Sequence, residues 1–407
     1  MKAERADGLL LAGAAKVELA PELPVVIAGY PPPRREASDE RAPLYARAIV
    51  LRSGQTRVGL VSLELLEMPE SLVDRVRERA PSLGLDGVIV TATHVHSSFG
   101  GYDPRLLPAV AATGAFDEEL ASHLVAKVEA CLRLAADAVR AVSARAAAIA
   151  VPGVTRNRAE PGARVDDRLR VLALDAVDGG APVARLLIFA AHPTLVARGG
   201  ERLDGDFPGR LMASLEEEGG VAVFTQGAVG DVSARTREPE EVALALAKAV
   251  RDALAAARPP LLEPSLGFAE VQVELPRALA PSSVPGALRR PVSNLLAPLL
   301  PRTARVAILR LGELSWLFVP GEPTTFGAAQ VLGRIGAPAG VPEPILVGLS
   351  QGYLGYIEAS DRVLRSRGEA RRALFEASLV ERLAEGLAAA AEALDKIEAG
   401  AATSSAD

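Results

Sequence analysis

Short apolar runs rich in Val, Ile and Leu recur along almost the whole chain, and helical periodicity interrupts them only at intervals. Strand-like runs lie at 46–52, 58–63, 87–93, 146–151, 169–176, 183–190, 221–225, 266–275, 304–311, 314–319 and 345–348. Helical patterns occupy roughly 116–143, 208–218, 238–257 and 370–398. Asp117-Glu118-Glu119 puts acid in the first turn of the first helix, and Gly219-Gly220 stops the second. The order is neither a strict βαβ alternation nor an eightfold barrel. It predicts an α/β fold in which mixed β-sheets are flanked by helices, in a single large domain over 1–398. Residues 276–302 carry six prolines and break the pattern. They read as a long surface connection, or as a lid or apolar contact beside a site, because long loops in compact domains are often functional. Residues 399–407 read as a disordered tail.

The bulk properties exclude several classes. With 407 residues, 49% of them hydrophobic, the chain has ample material for a buried core. A net charge of −6 gives no reason to expect nucleic acid, and no basic run suggests an anionic membrane surface. No apolar run approaches the ~20 residues that span a bilayer. Glu4 and Asp7 precede the apolar patch 9–15, where an export signal is purely basic. A cytoplasmic location is therefore expected. The one cysteine, Cys131, rules out an intrachain disulfide and thiolate clusters, and it reads as a small core residue in a helical pattern.

Chemistry concentrates where apolar runs end. The chain has only four histidines, and His94-Val95-His96 follows the run 87–93. In an extended segment, residues two apart point to one face, so both imidazoles can aim at one point. His192 ends another run, and His123, mid-helix, reads as structural. A catalytic zinc commonly takes three His, Asp or Glu ligands and leaves one position for water. Glu322 follows an apolar run closed by Pro320-Gly321, so its carboxylate emerges from the core at a tight turn. Asp206 and Asp231 sit in glycine-flanked turns, where each can ligate, orient a histidine or close the turn. Ser233 is a candidate nucleophile or hydrogen-bond donor, although the G-x-S-x-G elbow is missing. The HxH of amidohydrolase barrels needs further histidines on successive strands, which this chain lacks.

Read in order, these motifs resemble the N-terminal catalytic domain of the neutral/alkaline non-lysosomal ceramidases. Family members carry A-T-H-T-H-S-G-P-G-G, and this chain has Ala92-Thr93-His94-Val95-His96-Ser97-Ser98-Phe99-Gly100-Gly101. N-R-S-P is replaced by Asn157-Arg158-Ala159-Glu160-Pro161. H-x-T resembles His192-Pro193-Thr194, and G-D-V-S-P-N resembles Gly230-Asp231-Val232-Ser233-Ala234-Arg235. P-G-E-x-T-T is matched by Pro320-Gly321-Glu322-Pro323-Thr324-Thr325. A late tyrosine motif is similar to Gly352-Tyr353-Leu354-Gly355-Tyr356-Ile357.

The resemblance implies one zinc ion per chain, bound by His94, His192, Glu322 and Tyr356. It places His96 and Arg158 along the site and Ser233 beside the metal, with Asp206 and Asp231 as outer partners. It implies hydrolysis of the amide of an N-acylated lipid, ceramide plus water giving sphingoid base and fatty acid. Arg158 or His96 would stabilise the oxyanion, and His96 would protonate the leaving amine. The expected partner is a small lipid or acyl-amide substrate. A peripheral membrane contact fits that substrate, and neither a spanning segment nor an obligate protein partner is expected.

The chain also departs from the family. Val95, Ser98 and Phe99 replace Thr, Gly and Pro, which predicts an altered pocket. No tyrosine follows Tyr356, where the family has a second one. The chain reads as a short form without the family's immunoglobulin-like C-terminal domain. Hydrolysis of a smaller amide or ester, or a catalytically silent lipid- or metal-binding homologue, are the rival readings.

Overall fold

The computed structural model of the chain describes residues 1–31, 35–196, 200–257, 261–336 and 342–404, with side chains as far as 398. Two sheets stack face to face. The larger has eight strands, in the order Val221–Gln226, Pro182–Phe189, Arg168–Ala176, Arg140–Ala150, Leu11–Glu18, Tyr45–Ser53, Thr56–Leu63 and Gly87–Ala92. Only its two outermost pairings are parallel. The smaller has five, in the order Lys2–Ala6, Leu266–Glu274, Thr303–Leu311, Leu314–Phe318 and Ile345–Val347.

Alternation along the strands sorts the core into layers. In Tyr45–Ser53, Ala48 and Val50 face the helices Glu70–Arg77 and Glu118–Asp137, while Ile49 and Leu51 face the second sheet. Leu187, Phe189 and Phe224 likewise face Asp206–Glu216 and Pro239–Ala255. Trp316 and Phe318 fill the space between the sheets, and Leu383 and Leu387 of the last helix cover the far side of the small sheet. The result is a helix–sheet–sheet–helix stack, which bears out mixed sheets flanked by helices.

The large sheet curls until its edges meet. Ser62 Oγ donates to Phe224 O at 2.6 Å and Gln226 Nε2 to Thr93 O at 2.9 Å. Residues 348–351 lace the two edges together: Gly348 N donates to Gln226 O, and Gln351 N to Val90 O, both at 2.9 Å. This curl brings together the strand ends that carry the histidines.

The apolar runs are strands within a residue or two, except that 146–151 lies in a strand beginning at Arg140, and several other expectations need correction. The pattern 116–143 ends as a helix at Asp137, and Arg140–Ala150 is a strand. Its alanines favour helix, but nine residue pairs with Arg168–Ala176 override that preference. Leu11–Glu18 is a full strand rather than an apolar patch. The break at 276–302 contains a helix, Gly286–Leu296, with Pro291 inside it. The proline leaves one carbonyl without its helical partner, and an exposed helix can give that carbonyl to water. The helices Glu70–Arg77 and Thr325–Ile335 carried no helical reading. The final helix starts at Leu379 and runs to Ser404, into the expected tail; 405–407 lie outside the described residues.

Cys131 is fully buried, with Sγ 3.4 Å from the carbonyls of Ala15 and Ala46. Burial pushes its thiol up to about 12. The folded protein should therefore resist a disulfide reagent at neutral pH and react fully only on unfolding. Rapid labelling of the native protein would show that the helix Glu118–Asp137 lifts from its sheet.

Candidate metal centre

His94 follows the edge strand Gly87–Ala92, and its backbone is left-handed (φ 69°). The extended geometry expected of His94-Val95-His96 therefore does not hold; a turn aims the two rings instead. Such a conformation is strained for a non-glycine residue and must be held by its surroundings. Thr93 N and Val95 N donate to Leu63 O and Leu65 O and clamp it on both sides. His192 extends the run from Pro182–Phe189 and is pinned by a bridge to Ser233. Glu322 arrives from the small sheet, across the turn after Leu314–Phe318. Gly321 there has φ 141°, and a Cβ on it would stand 2.5 Å from Gly355 O, so only glycine fits.

The three imidazoles meet. Ring centroids lie 4.8 Å apart for His94 and His96, and 4.9 Å for His94 and His192. Each ring is oriented by a backbone carbonyl on Nδ1: Leu66 O at 2.8 Å for His94, Gly29 O at 2.9 Å for His96, and Val232 O at 3.1 Å for His192. A carbonyl only accepts, so each Nδ1 carries the proton and each Nε2 presents a lone pair. Glu322 Oε2 stands 3.4 Å from His94 Nε2 and 3.1 Å from His192 Nε2. His94 Nε2, His96 Nε2 and Glu322 Oε2 are all buried without a hydrogen-bond donor among the described residues.

Burial, and then the charge of Arg158, push His192 down to about 4. Burial likewise holds His96 well below the ordinary histidine range. Both rings are thus neutral at physiological pH. Converging lone pairs and a carboxylate with no proton between them have the chemistry to hold a cation. The nitrogen atoms of His94, His96 and His192 lie within 4.8 Å of one another, which fits a single ion.

The remaining sequence candidates surround this cluster in distinct ways. Tyr356 is the strand partner of Glu322, and its hydroxyl accepts from Arg158 Nη2 at 2.9 Å. Arg158 also donates to Gly230 O at 2.8 Å and to Glu369 Oε1 at 2.9 Å. Asp231 accepts from Asn157 Nδ2 and Thr325 N, each at 2.7 Å, and so ties the Arg158 strand to the helix Thr325–Ile335. Asp206 accepts from Leu195 N at 2.8 Å and Val196 N at 3.0 Å, anchoring the loop after His192. Neither aspartate touches an imidazole: backbone carbonyls occupy the orienting positions. His123 bonds Leu19 O at 2.8 Å, in the structural role read for it. Val95, Ser98 and Phe99 are fully buried. Phe99 stacks edge-on with Tyr102, in the core beside the helix Glu118–Asp137.

Sequence reasoning passed over Tyr353. Its hydroxyl donates to Glu322 Oε1 at 2.6 Å and so fixes which carboxylate oxygen faces the histidines. Arg105 holds the Tyr353 carbonyl at 2.6 Å and is itself paired with Asp103 and Glu67. The available signal was the pair of tyrosines in one short motif. The three carbonyls left none, because every residue has one.

The sequence model of the neutral/alkaline non-lysosomal ceramidases, N-terminal part, matches residues 13–243, more than half of the chain. No curated protein matches. The fold is similar to a crystal structure of neutral ceramidase from Pseudomonas aeruginosa, with TM-score 0.84 at 17% identity, covering 96% of this chain and 75% of that one. It is also similar to a ceramidase complexed with C2, with TM-score 0.83 at 17% identity, covering 96% and 76%. At this identity the likeness concerns the fold, while the sequence match assigns the family: the chain belongs to the neutral/alkaline non-lysosomal ceramidases.

Proposed function

We propose that this chain is a zinc-dependent hydrolase that cleaves the amide of an N-acylated lipid of the ceramide class. The observation that supports it most is the meeting of three Nε2 lone pairs with the Glu322 carboxylate in the fold of this family. His94, His192 and Glu322 hold the ion, with Tyr356 beside Glu322 completing the set that the family resemblance implies. A zinc ion bound there supplies an ionisable water of pKa ~7 and polarises the amide carbonyl. Arg158, donating to Tyr356 Oη, offsets negative charge at that oxygen and at the carbonyl oxygen as it becomes an oxyanion. His96, neutral at rest, takes a proton from the attacking water at Nε2 and returns it to the leaving nitrogen. Gly29 O keeps the ring in the tautomer that this transfer requires.

The test is metal analysis of the purified protein followed by turnover of fluorescent N-acyl amides. Zinc near one per chain with release of sphingoid base supports the reading. A preference for short acyl amides or esters would move the substrate away from ceramide and keep the hydrolase. Bound zinc without turnover of any such compound would leave a silent homologue. Chelation should also lower the melting temperature, because an ion held at ~1,000 times its dissociation constant stabilises the fold by about 4 kcal/mol.

A further inference from the structure

We infer that residues 276–302 form a docking surface for an anionic lipid membrane, placed beside the metal centre. The segment holds Arg277, Arg289, Arg290 and Arg302 and no acidic residue, in a chain of net charge −6. None of the four arginines makes an ion pair among the described residues. The helix Gly286–Leu296 within the segment buries no residue at all. Leu288 is 53% and Leu295 73% exposed, so two large apolar side chains stand in water on a helix whose guanidinium groups meet no carboxylate among the described residues. Leu364, 79% exposed, adjoins the same helix across a shallow cavity lined by Arg289 and Ala280.

An amphipathic basic helix with exposed leucines is the chemistry of an interfacial anchor: the apolar side chains enter the headgroup boundary and the arginines meet anionic lipid. The charge distribution selects the face. The rest of the chain is acidic and is repelled by an anionic surface, so this segment turns towards it. The position selects the purpose. Pro298, Leu299 and Leu300 line a cavity of about 300 Å³ together with Arg105, Tyr353 and Leu354. Tyr353 is the residue whose hydroxyl holds Glu322. A molecule leaving the bilayer at this face therefore meets an apolar hollow one side chain away from the candidate metal ligands.

The inference stands on charge and exposure, independently of the hydrolase reading. The test uses the full chain and sedimentation with vesicles of phosphatidylcholine, with and without phosphatidylglycerol. Binding needs neither metal nor turnover, so its failure is distinguishable from failure of the hydrolase. The protein should sediment with the phosphatidylglycerol vesicles and be released by high salt. Arg290→Gln with Arg302→Gln, two guanidinium groups without a partner among the described residues, should weaken binding roughly 30-fold. Leu288→Ser with Leu295→Ser should also weaken it at low salt, because the apolar contact adds to the attraction between charges. Unchanged melting temperatures would confirm that both variants are folded. Failure of the wild-type chain to bind the anionic vesicles would overturn the inference, as would undiminished binding by both variants. Self-association that disappears in the leucine variant, without vesicle binding, would assign the face to a second copy and overturn it as well.

Discussion

On the proposed reading, His192→Ala and Glu322→Ala should each empty the site, lowering bound zinc to a small fraction of one per chain and amidase activity by 100-fold or more. Loss of an outer partner alone typically weakens a metal site 10–100-fold, and these residues are placed nearer than that. The effect should be steep because each variant removes a donor that the proposed ligand set needs. Glu322 is its only carboxylate among the described residues, and its second oxygen is already taken by Tyr353. His96→Ala separates binding from catalysis. If His96 only moves a proton, the variant keeps its zinc and loses 10²–10⁴-fold in kcat. If the zinc leaves with it, His96 is a ligand, and the two histidines of the HxH pair are equals. Tyr356→Phe provides the reciprocal result: it should weaken zinc binding if the phenol ligates and leave it intact otherwise. Atomic absorption on the dialysed variants decides both questions without a substrate.

Gly230→Ala is expected to damage stability and the site together, although it adds a single methyl group. A Cβ at this position would lie 2.7 Å from Glu322 O and 3.0 Å from Thr324 N, both backbone atoms. Neither can rotate away, so the turn carrying Glu322 must shift or the strand Val232–Ala234 must. Overpacking of this kind typically costs 1–3 kcal/mol, seen as a melting temperature lowered by several degrees. The shift also withdraws the carboxylate from the histidines, so zinc affinity should fall with stability. Gly333→Ala is the control. It sits inside the helix Thr325–Ile335, where an added methyl group would have nothing within 4 Å, and alanine there should stabilise by about 0.5–1 kcal/mol. Equal melting temperatures for the two variants would show that the turn at Glu322 is soft.

Much of this architecture was legible because burial wrote it into the residues. Runs such as 58–63 and 221–225 are strands because both faces of the sheet are covered there, and that leaves a largely apolar stretch. The helix ending at Asp137 was overextended for the opposite reason: alanine is equally at home in either element, and only the pairing of Arg140–Ala150 with its neighbour decides. Proline punctuation misled in the same way at Gly286–Leu296, where an exposed helix tolerates what a buried one does not. The site was legible in its side chains. Four of the residues singled out, His94, His96, His192 and Glu322, do come together. Its supports were not: the carbonyls of Leu66, Gly29 and Val232 orient the rings, and no residue type announces a carbonyl. Asp206 and Asp231 drew notice as turn residues and serve as braces of the loops on which the functional side chains sit.

The curl of the large sheet sets the order in which the protein can be made. His94 and His192 belong to opposite margins of one sheet, and residues 348–351 stitch those margins together. These are contacts of high sequence separation, whose loop-closure entropy is met only late in folding. The chain emerging from the ribosome therefore carries its histidines long before it carries Glu322, and it cannot complete the cluster until its last third has been synthesised. The same stitch covers both outer strands, so closing the metal centre and sealing the two edges most prone to pair with another molecule are one event. On the proposed reading, a partly folded chain should be both metal-poor and aggregation-prone, and a mature one neither.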